Sequence, residues 1–221
     1  MGLGRGARSI ATKRRMLRGG LKMFIALEGI DGCGKTTLAK ELAKKGYTVT
    51  QEPFLSCTAE VISKTKNPET RELAFYVDRL YHLEQFIIPN LSKTVITDRY
   101  KYSQIAYAYA RYRDSEIYDR VVELNKKLLE PDIVILLDLP AADALARKPA
   151  QAIDFLEIVR KKYLEMADEH LRKQDFRKEA GEFTIFLAKE RKSCALASLW
   201  FIIDARQEKK EILSEVLKII K

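Results

Sequence analysis

The chain contains no apolar run approaching the ~18 residues of a membrane span, so no membrane partner is expected. Cysteine is scarce: Cys33, Cys57 and Cys194 are the only three. Their odd number and lack of metal-ligand spacing exclude a disulfide framework and point to a reducing, cytoplasmic setting. Internal repeats and low-complexity runs are missing too, which removes solenoids and arrays from consideration. What is present has an ordinary globular balance, 47% hydrophobic and 32% charged over 221 residues. That is enough for one domain with a sizeable core and too little for two.

Negative charge is absent from one stretch. Residues 1–22 carry Arg5, Arg8, Lys13, Arg14, Arg15, Arg18 and Lys22 with no acid, in a chain whose net charge is +9. A basic nucleic-acid arm, a transit peptide, a solvated extension or a misassigned start before Met23 would all look like this. A disordered extension over 1–22 is the expectation, followed by a single domain over 23–221, because a strand beginning at Phe24 needs nothing before it. The rest of the charge suits small anionic substrates, and nucleic acid is not the expected partner.

Chemistry enters between Phe24 and Thr37. An apolar run leads into Gly29-Ile30-Asp31-Gly32-Cys33-Gly34-Lys35-Thr36, which fits G-x-x-x-x-G-K-[ST], and then into a helical pattern through Leu38, Leu42 and Ala43. Backbone N–H groups of such a loop point inward at phosphate oxygens, and the helix N-terminus adds its positive dipole. In this pattern Lys35 reaches the β- and γ-phosphates, and the Thr36 hydroxyl ligates Mg²⁺. Strand, glycine spacing, Lys-Thr pair and helix coincide, which separates the motif from a chance Gly-rich turn. A nucleoside triphosphate bound over residues 29–37, Thr37 included, is the expected ligand. Cys33 is either an activated thiol at a helix N-terminus or a small residue the loop tolerates.

Four further apolar runs read as strands: Tyr47–Gln51, Thr94–Asp98, Ile133–Leu139 and Trp200–Asp204. They are nearly continuous rather than alternating, as parallel strands covered on both faces are. Helical patterns separate them, so an α/β, doubly wound, five-stranded parallel sheet is expected, with ligands beyond the carboxyl ends of its strands. One helix is expected from about Glu69 to Ile88, capped by Asn67, with Pro68 in its first turn and Pro89 stopping it, and with Leu73, Val77 and Leu80 as its core stripe. Phe75 and Arg79 lie four apart on another face of it. They suit stacking on a base and bonding its edge, and equally a core ring beside a surface cation. Other helices are expected over 116–129, 141–147, from Ile153 through Met166, and over 208–220.

Together these segments resemble the thymidylate kinase family. The phosphate loop from Glu28 to Thr37, Leu73-Ala74-Phe75-Tyr76-Val77-Asp78-Arg79, and Asp98-Arg99-Tyr100 followed by Ser103 and Ala106-Tyr107 look like that family's motifs. Pro131-Asp132 leading to Leu137-Asp138-Leu139-Pro140 and Arg147, and Ile203-Asp204-Ala205, resemble its fourth and last strands. The resemblance implies a three-layer P-loop NTPase fold, ATP and dTMP as substrates, Mg²⁺, and a homodimer. It implies that Phe75 stacks on thymine, Arg79 reads its edge, and Ser103 and Gln104 flank it. Arg99 then binds the acceptor phosphate, Asp31 meets the 3′-hydroxyl, and Tyr107 fills the place of a ribose 2′-hydroxyl. Asp98 joins Thr36 at the metal, and Ala205 belongs to the adenine-side loop. The chemistry agrees: a phosphate nucleophile is already largely ionised at pH 7, its second pKa being about 6. Two repelling anions must be aligned and neutralised, which suits Lys35 and Arg99, although Asp98-Arg99 also suits a structural ion pair.

Three departures stand out. The acceptor loop, often R-E-P-G-G-T in the family, reads Gln51-Glu52-Pro53-Phe54-Leu55-Ser56, and the common A-Y-Q is Ala106-Tyr107-Ala108. Gly32 occupies the position where some relatives carry an arginine, and the lid near 147–153 is short. Arg147, Lys148 and Arg160 are the cations within its reach, and Arg147 is the expected catalytic one. Residues 170–198 form an insertion that suits a dimer element, a substitute lid or a surface elaboration. The alternatives are a related kinase for another monophosphate or a deoxynucleoside, and a nucleotide-binding paralogue without catalysis. A regulatory GTPase is disfavoured, since Asn125-Lys126-Lys127-Leu128 lacks the aspartate of N-K-x-D.

Overall fold

The sheet follows from the five apolar runs. In the computed structural model, which describes residues 23–149, 151–179 and 198–220, they form β1 (Phe24–Glu28), β2 (Thr48–Gln51), β3 (Val95–Asp98), β4 (Ile133–Asp138) and β5 (Leu199–Asp204). All pairings are parallel, in the order β2-β3-β1-β4-β5. β1 at the centre is buried along its whole length, and only the edge strands β2 and β5 carry partly exposed residues along most of theirs. A strand covered on both faces has no side left for polar alternation, which is why its sequence reads as an unbroken apolar run.

Helices cover both faces, giving three layers. They are α1 (Lys35–Lys44), α2 (Ser56–Lys64), α3 (Pro68–His82), α4 (Lys101–Tyr112), α5 (Glu116–Lys126), α6 (Ala141–Arg147), α7 (Ile153–Glu179) and α8 (Lys209–Ile219). α1 packs on β1, β2 and β3 with α8 beside it, while α7 lies against β4, β5 and α4. α7 buries Leu156, Val159, Tyr163 and Met166 at helical spacing. α8 opens with a reciprocal capping box between Glu208 and Glu211 and buries Ile212 and Val216. Two helices escaped the pattern reading. α4 buries Lys101, Ser103 and Gln104 beside its tyrosines and alanines, so no clean apolar stripe marks it.

α3 corrects the sequence reading most. Its start is as expected, with the Asn67 side chain accepting from the Thr70 N–H at 2.9 Å and Pro68 in the first turn. The regular helix ends at His82, and a π-helical turn over Leu83–Ile87 and a 3₁₀ turn over Ile88–Asn90 carry the chain onward. The expected core stripe faces outward instead: Leu73, Val77 and Leu80 are 45%, 60% and 43% exposed. Glu72, Asp78, Arg79 and His82 are the buried residues. The inner face of α3 meets a polar network rather than the sheet, so polarity and burial coincide there. α7 runs on past Met166 to Glu179, into the stretch over 170–198 expected to be an insertion. The extension over 1–22, residues 180–197 and Cys194 lie outside the described residues. Because the Asn67 cap starts the helix that bears Arg79, Asn67→Ala should lower unfolding stability by about 1 kcal/mol in urea titration.

Candidate active site

The loop between β1 and α1 is shaped by three glycines at positive φ, Gly29 (138°), Gly32 (85°) and Gly34 (101°). Two are also sterically required. A Cβ on Gly29 would lie 2.6 Å from the Leu137 carbonyl oxygen, and one on Gly32 would lie 2.6 Å from that of Ala144. The loop is thus wedged between the end of β4 and α6. Lys35, buried at the start of α1, curls back to donate to the carbonyls of Gly29 at 2.9 Å and Ile30 at 2.8 Å, with the buried Cys33 Sγ 3.3 Å away. Backbone carbonyls thus hold the ammonium inside the loop. Thr37 follows Thr36 in the first turn of α1, both of them exposed.

Beside this loop the carboxyl end of β3 presents Asp98. Its Oδ2 accepts from the Thr36 hydroxyl at 2.5 Å, and its buried Oδ1 has no hydrogen-bond partner among the described residues. A hydroxyl and a carboxylate with one uncommitted oxygen form a hard donor set, suited to Mg²⁺ that draws its other ligands from phosphates and water. Among the described residues no cluster of three or more His, Cys, Asp or Glu side chains offers a closed protein cage.

Arg99 follows at φ 71°, in the left-handed region. Its Nη2 donates to Asp31 Oδ1 at 2.8 Å and its Nη1 to Ser103 Oγ at 3.2 Å, and its guanidinium lies 5.3 Å over the Tyr107 ring. The Tyr107 hydroxyl accepts from the Asp31 N–H at 2.9 Å and donates to Asp31 Oδ2 at 3.2 Å. Asp31 also meets the lid, with Gln151 Nε2 at 3.3 Å and Lys148 Nζ at 3.6 Å. Burial pushes the Asp31 carboxyl up, but Arg99, Lys35 and Lys148 outweigh it and hold it below the usual range. Phosphate loop, β3 and lid therefore converge on one carboxylate.

Behind α3 lies a buried polar network. Arg79 donates from Nε to Glu52 Oε2 at 2.8 Å and from Nη1 to Gln104 at 2.7 Å and Asn125 at 2.9 Å, while its Nη2 lies 2.7 Å from Glu52. Gln104 in turn donates to the Glu72 carbonyl and carboxylate at 2.8 and 3.0 Å. His82 bridges Glu52 and Thr50, and Phe54 stacks on it with ring centres 4.5 Å apart. The Asp78 carboxylate accepts from the N–H groups of Phe54 and Leu55 at 2.7 and 2.8 Å. The altered acceptor loop is thus tied to α3 by side chains. Phe75 is half-buried one helical turn before Arg79.

The three candidate lid cations are placed differently. Arg147 Nη2 donates to the buried Ala205 carbonyl at 3.1 Å, on the loop after β5. Arg160 is clamped by both oxygens of Asp138 at 2.7 and 2.9 Å. Lys148 is 62% exposed and faces Asp31. Sequence reasoning assigned no role to Glu52, Asp78, Asn125 or Gln151. Asp78 lay inside a quoted motif, whereas Asn125 joins the site through the packing of α5 against α3 and α4, and Gln151 through the bend before α7. Gly32→Ala should cost about 1–3 kcal/mol for its backbone conformation alone. Crowding against Ala144 should also weaken ATP-induced thermal stabilisation, read by calorimetry with and without nucleotide.

Comparison with known proteins matches this geometry to one family. The thymidylate kinase family model matches residues 27–216. A protein called "Probable thymidylate kinase" from Sulfurisphaera tokodaii is 42% identical over 159 residues, covering 65% of this chain and 82% of its own. One of the same name from Thermococcus onnurineus is 38% identical over 176 residues, covering 66% and 84%. The crystal structure of thymidylate kinase from Ehrlichia chaffeensis superposes with a TM-score of 0.65 at 23% identity, over 91% of this chain and all of that one, a likeness of fold. The chain belongs to the thymidylate kinase family, the ATP-dependent nucleoside monophosphate kinases that convert dTMP to dTDP.

Proposed function

We propose that ATP and dTMP meet over Lys35, Asp98 and Arg99, and that the γ-phosphoryl group passes between them there without a general base. The observation that carries this reading is the convergence of Arg99 and the Thr36–Asp98 pair beside the phosphate loop. The acceptor oxygen is already ionised at neutral pH, so the protein has only to align two anions and neutralise the charge that develops. Loop amides and Lys35 hold the donor phosphates. Arg99 takes the acceptor phosphate, exchanging part of its contact with Asp31, which is then released toward the sugar 3′-hydroxyl. Tyr107, held against Asp31, fills the space a 2′-hydroxyl would need. Mg²⁺ held at Thr36 and Asp98 would neutralise charge on the donor phosphates. Phe75 stacks on thymine, while Arg79 and Gln104, pre-oriented by Glu52, Glu72 and Asn125, face its edge. The thiols of Cys33 and Cys57, unpaired among the described residues, fit a reducing, cytoplasmic setting.

For the lid cation, Lys148 is the better candidate than Arg147. Arg160 is committed to Asp138 and Arg147 to Ala205, whereas Lys148 sits exposed across from the phosphate loop. Arg147 then steadies the adenine-side loop. A coupled ADP-release assay over a panel of monophosphates and deoxynucleosides tests the function: dTMP should be among the best acceptors, and Lys35→Ala should abolish turnover. Lys148→Met should lower kcat by about a hundredfold or more, whereas Arg147→Met should act mainly on KM for ATP. The reverse pattern would return the role to Arg147.

A homodimer is supported by the outward row of Leu73, Val77 and Leu80 on α3, extended by Tyr81 at 44% exposure. Val77→Asp should convert a dimer into monomers in light scattering. A wild-type protein that is monomeric at micromolar concentration would dismiss the dimer.

A further inference from the structure

Glu28 ends β1 directly beneath the phosphate loop and is completely buried. A buried carboxylate must be satisfied, and three donors converge on this one. The Tyr100 N–H donates to Oε1 at 3.1 Å, and the Ser103 hydroxyl and the Tyr163 hydroxyl donate to Oε2 at 2.5 and 3.2 Å. Ser103 has one proton, spent on Glu28, so its lone pairs face outward. One of them accepts from Arg99 Nη1, and the other faces the Tyr163 hydroxyl 2.8 Å away, whose single proton is shared between Ser103 and Glu28. The residue so reached is held at φ 71°, in the left-handed region that a side chain disfavours.

We propose that Glu28 is a positioning residue for the acceptor phosphate, holding Arg99 in place through Ser103 and the Tyr100 amide. This rests on the acceptor-phosphate role assigned to Arg99 above. Two carboxylates then share the guanidinium. Asp31 holds Nη2 directly and lies 22% exposed, where an arriving phosphate competes with it. Glu28 acts on Nη1 from beneath, where no substrate reaches, so it supplies the anchor that persists when Asp31 lets go. The Tyr100 bond also fixes the chain immediately after Arg99, at the start of α4.

The ionised form suits this task, because a carboxylate accepts from all three donors and a carboxylic acid must give one up. Burial pushes the Glu28 carboxyl up to about 7, with Ser103, Arg99 and Lys35 opposing and the Glu52 carboxylate adding to the rise. Beyond these, the groups around it are Arg79 from α3, Tyr100 and Tyr102 at the start of α4, and Tyr163 from α7. Protonation through this pH therefore loosens Arg99. The sign follows: kcat/KM for dTMP should rise with pH through about 7 and level off above it. The limb near pH 6 from the substrate's own phosphate is a separate feature.

The test is steady-state kinetics from about pH 5.5 to 9 on the wild type, Glu28→Gln, Ser103→Ala, Arg99→Ala and the Glu28→Gln/Arg99→Ala pair. Glu28→Gln should lower kcat/KM for dTMP by roughly 10- to 100-fold, leave KM for ATP within about twofold, and lose the limb near 7 while keeping that near 6. In the Arg99→Ala background the Gln substitution should cost nothing further. Ser103→Ala should reproduce a smaller loss of the same kind, and it decides the matter alone if Glu28→Gln does not fold. Equal losses on both substrates, an undiminished limb near 7, or a full additional loss in the double variant would each overturn the role of Glu28. Wild-type failure to turn over dTMP, or an Arg99→Ala variant with unchanged KM for dTMP, would instead overturn the reading beneath it.

Discussion

The carboxyl edge of the sheet is lined with acids, and most of the site is arranged by what those acids bind. β1 ends in Glu28, β3 in Asp98, β4 in Asp138 and β5 in Asp204, and Glu52 follows β2. Anions packed this closely are costly unless each is matched, and less so at the rim, where water helps. Arg79 matches Glu52, Arg160 matches Asp138, and Arg206 matches Asp204. Asp98 is matched only in part, by a hydroxyl, and Glu28 only by uncharged donors. These two acids, without a charged side chain in hydrogen-bond contact among the described residues, end the adjacent strands β1 and β3.

The same constraint accounts for the character of α3 and α4. Each places polar side chains inward, and on α3 this leaves hydrophobic residues on the outer face. The outward Leu73-Val77-Leu80 row of α3 is what remains after Glu72, Asp78, Arg79 and His82 have taken the inner face. In α4 the buried Ser103 and Gln104 serve Arg99 and Arg79 respectively. Helices of this kind defeat a reading by periodicity, because that reading equates burial with apolarity. Strands of the same domain obeyed it, since both their faces meet hydrocarbon.

Lid and loop form the other coupled pair. Gly32 has no space for a side chain, because the Ala144 carbonyl stands where a Cβ would go. An arginine at that position would require α6 to move. The close seat of α6 on the loop also brings Lys148 and Gln151 over Asp31, so the compact lid and the glycine describe one packing arrangement. Gly32 and the segment bearing Lys148 and Gln151 thus meet at the same contact between the loop and α6.

The sequence by itself determined the parallel sheet and the phosphate loop. Both depend on local rules: continuous apolar runs for strands covered on two faces, and glycines where the backbone turns to positive φ before a helix. The phosphate-loop motif also named Lys35 and Thr36, and the family resemblance added Asp98 and Arg99 as candidates. Partnerships were decided only by tertiary structure. That Arg147 turns to Ala205, that Asp78 ties down the acceptor loop, that Asn125 joins Arg79 from 46 residues away, and that Glu28 reaches Arg99 through Ser103 all depend on which helices lie side by side. Hydrogen bonds act over about 3 Å in space and leave no period along the chain.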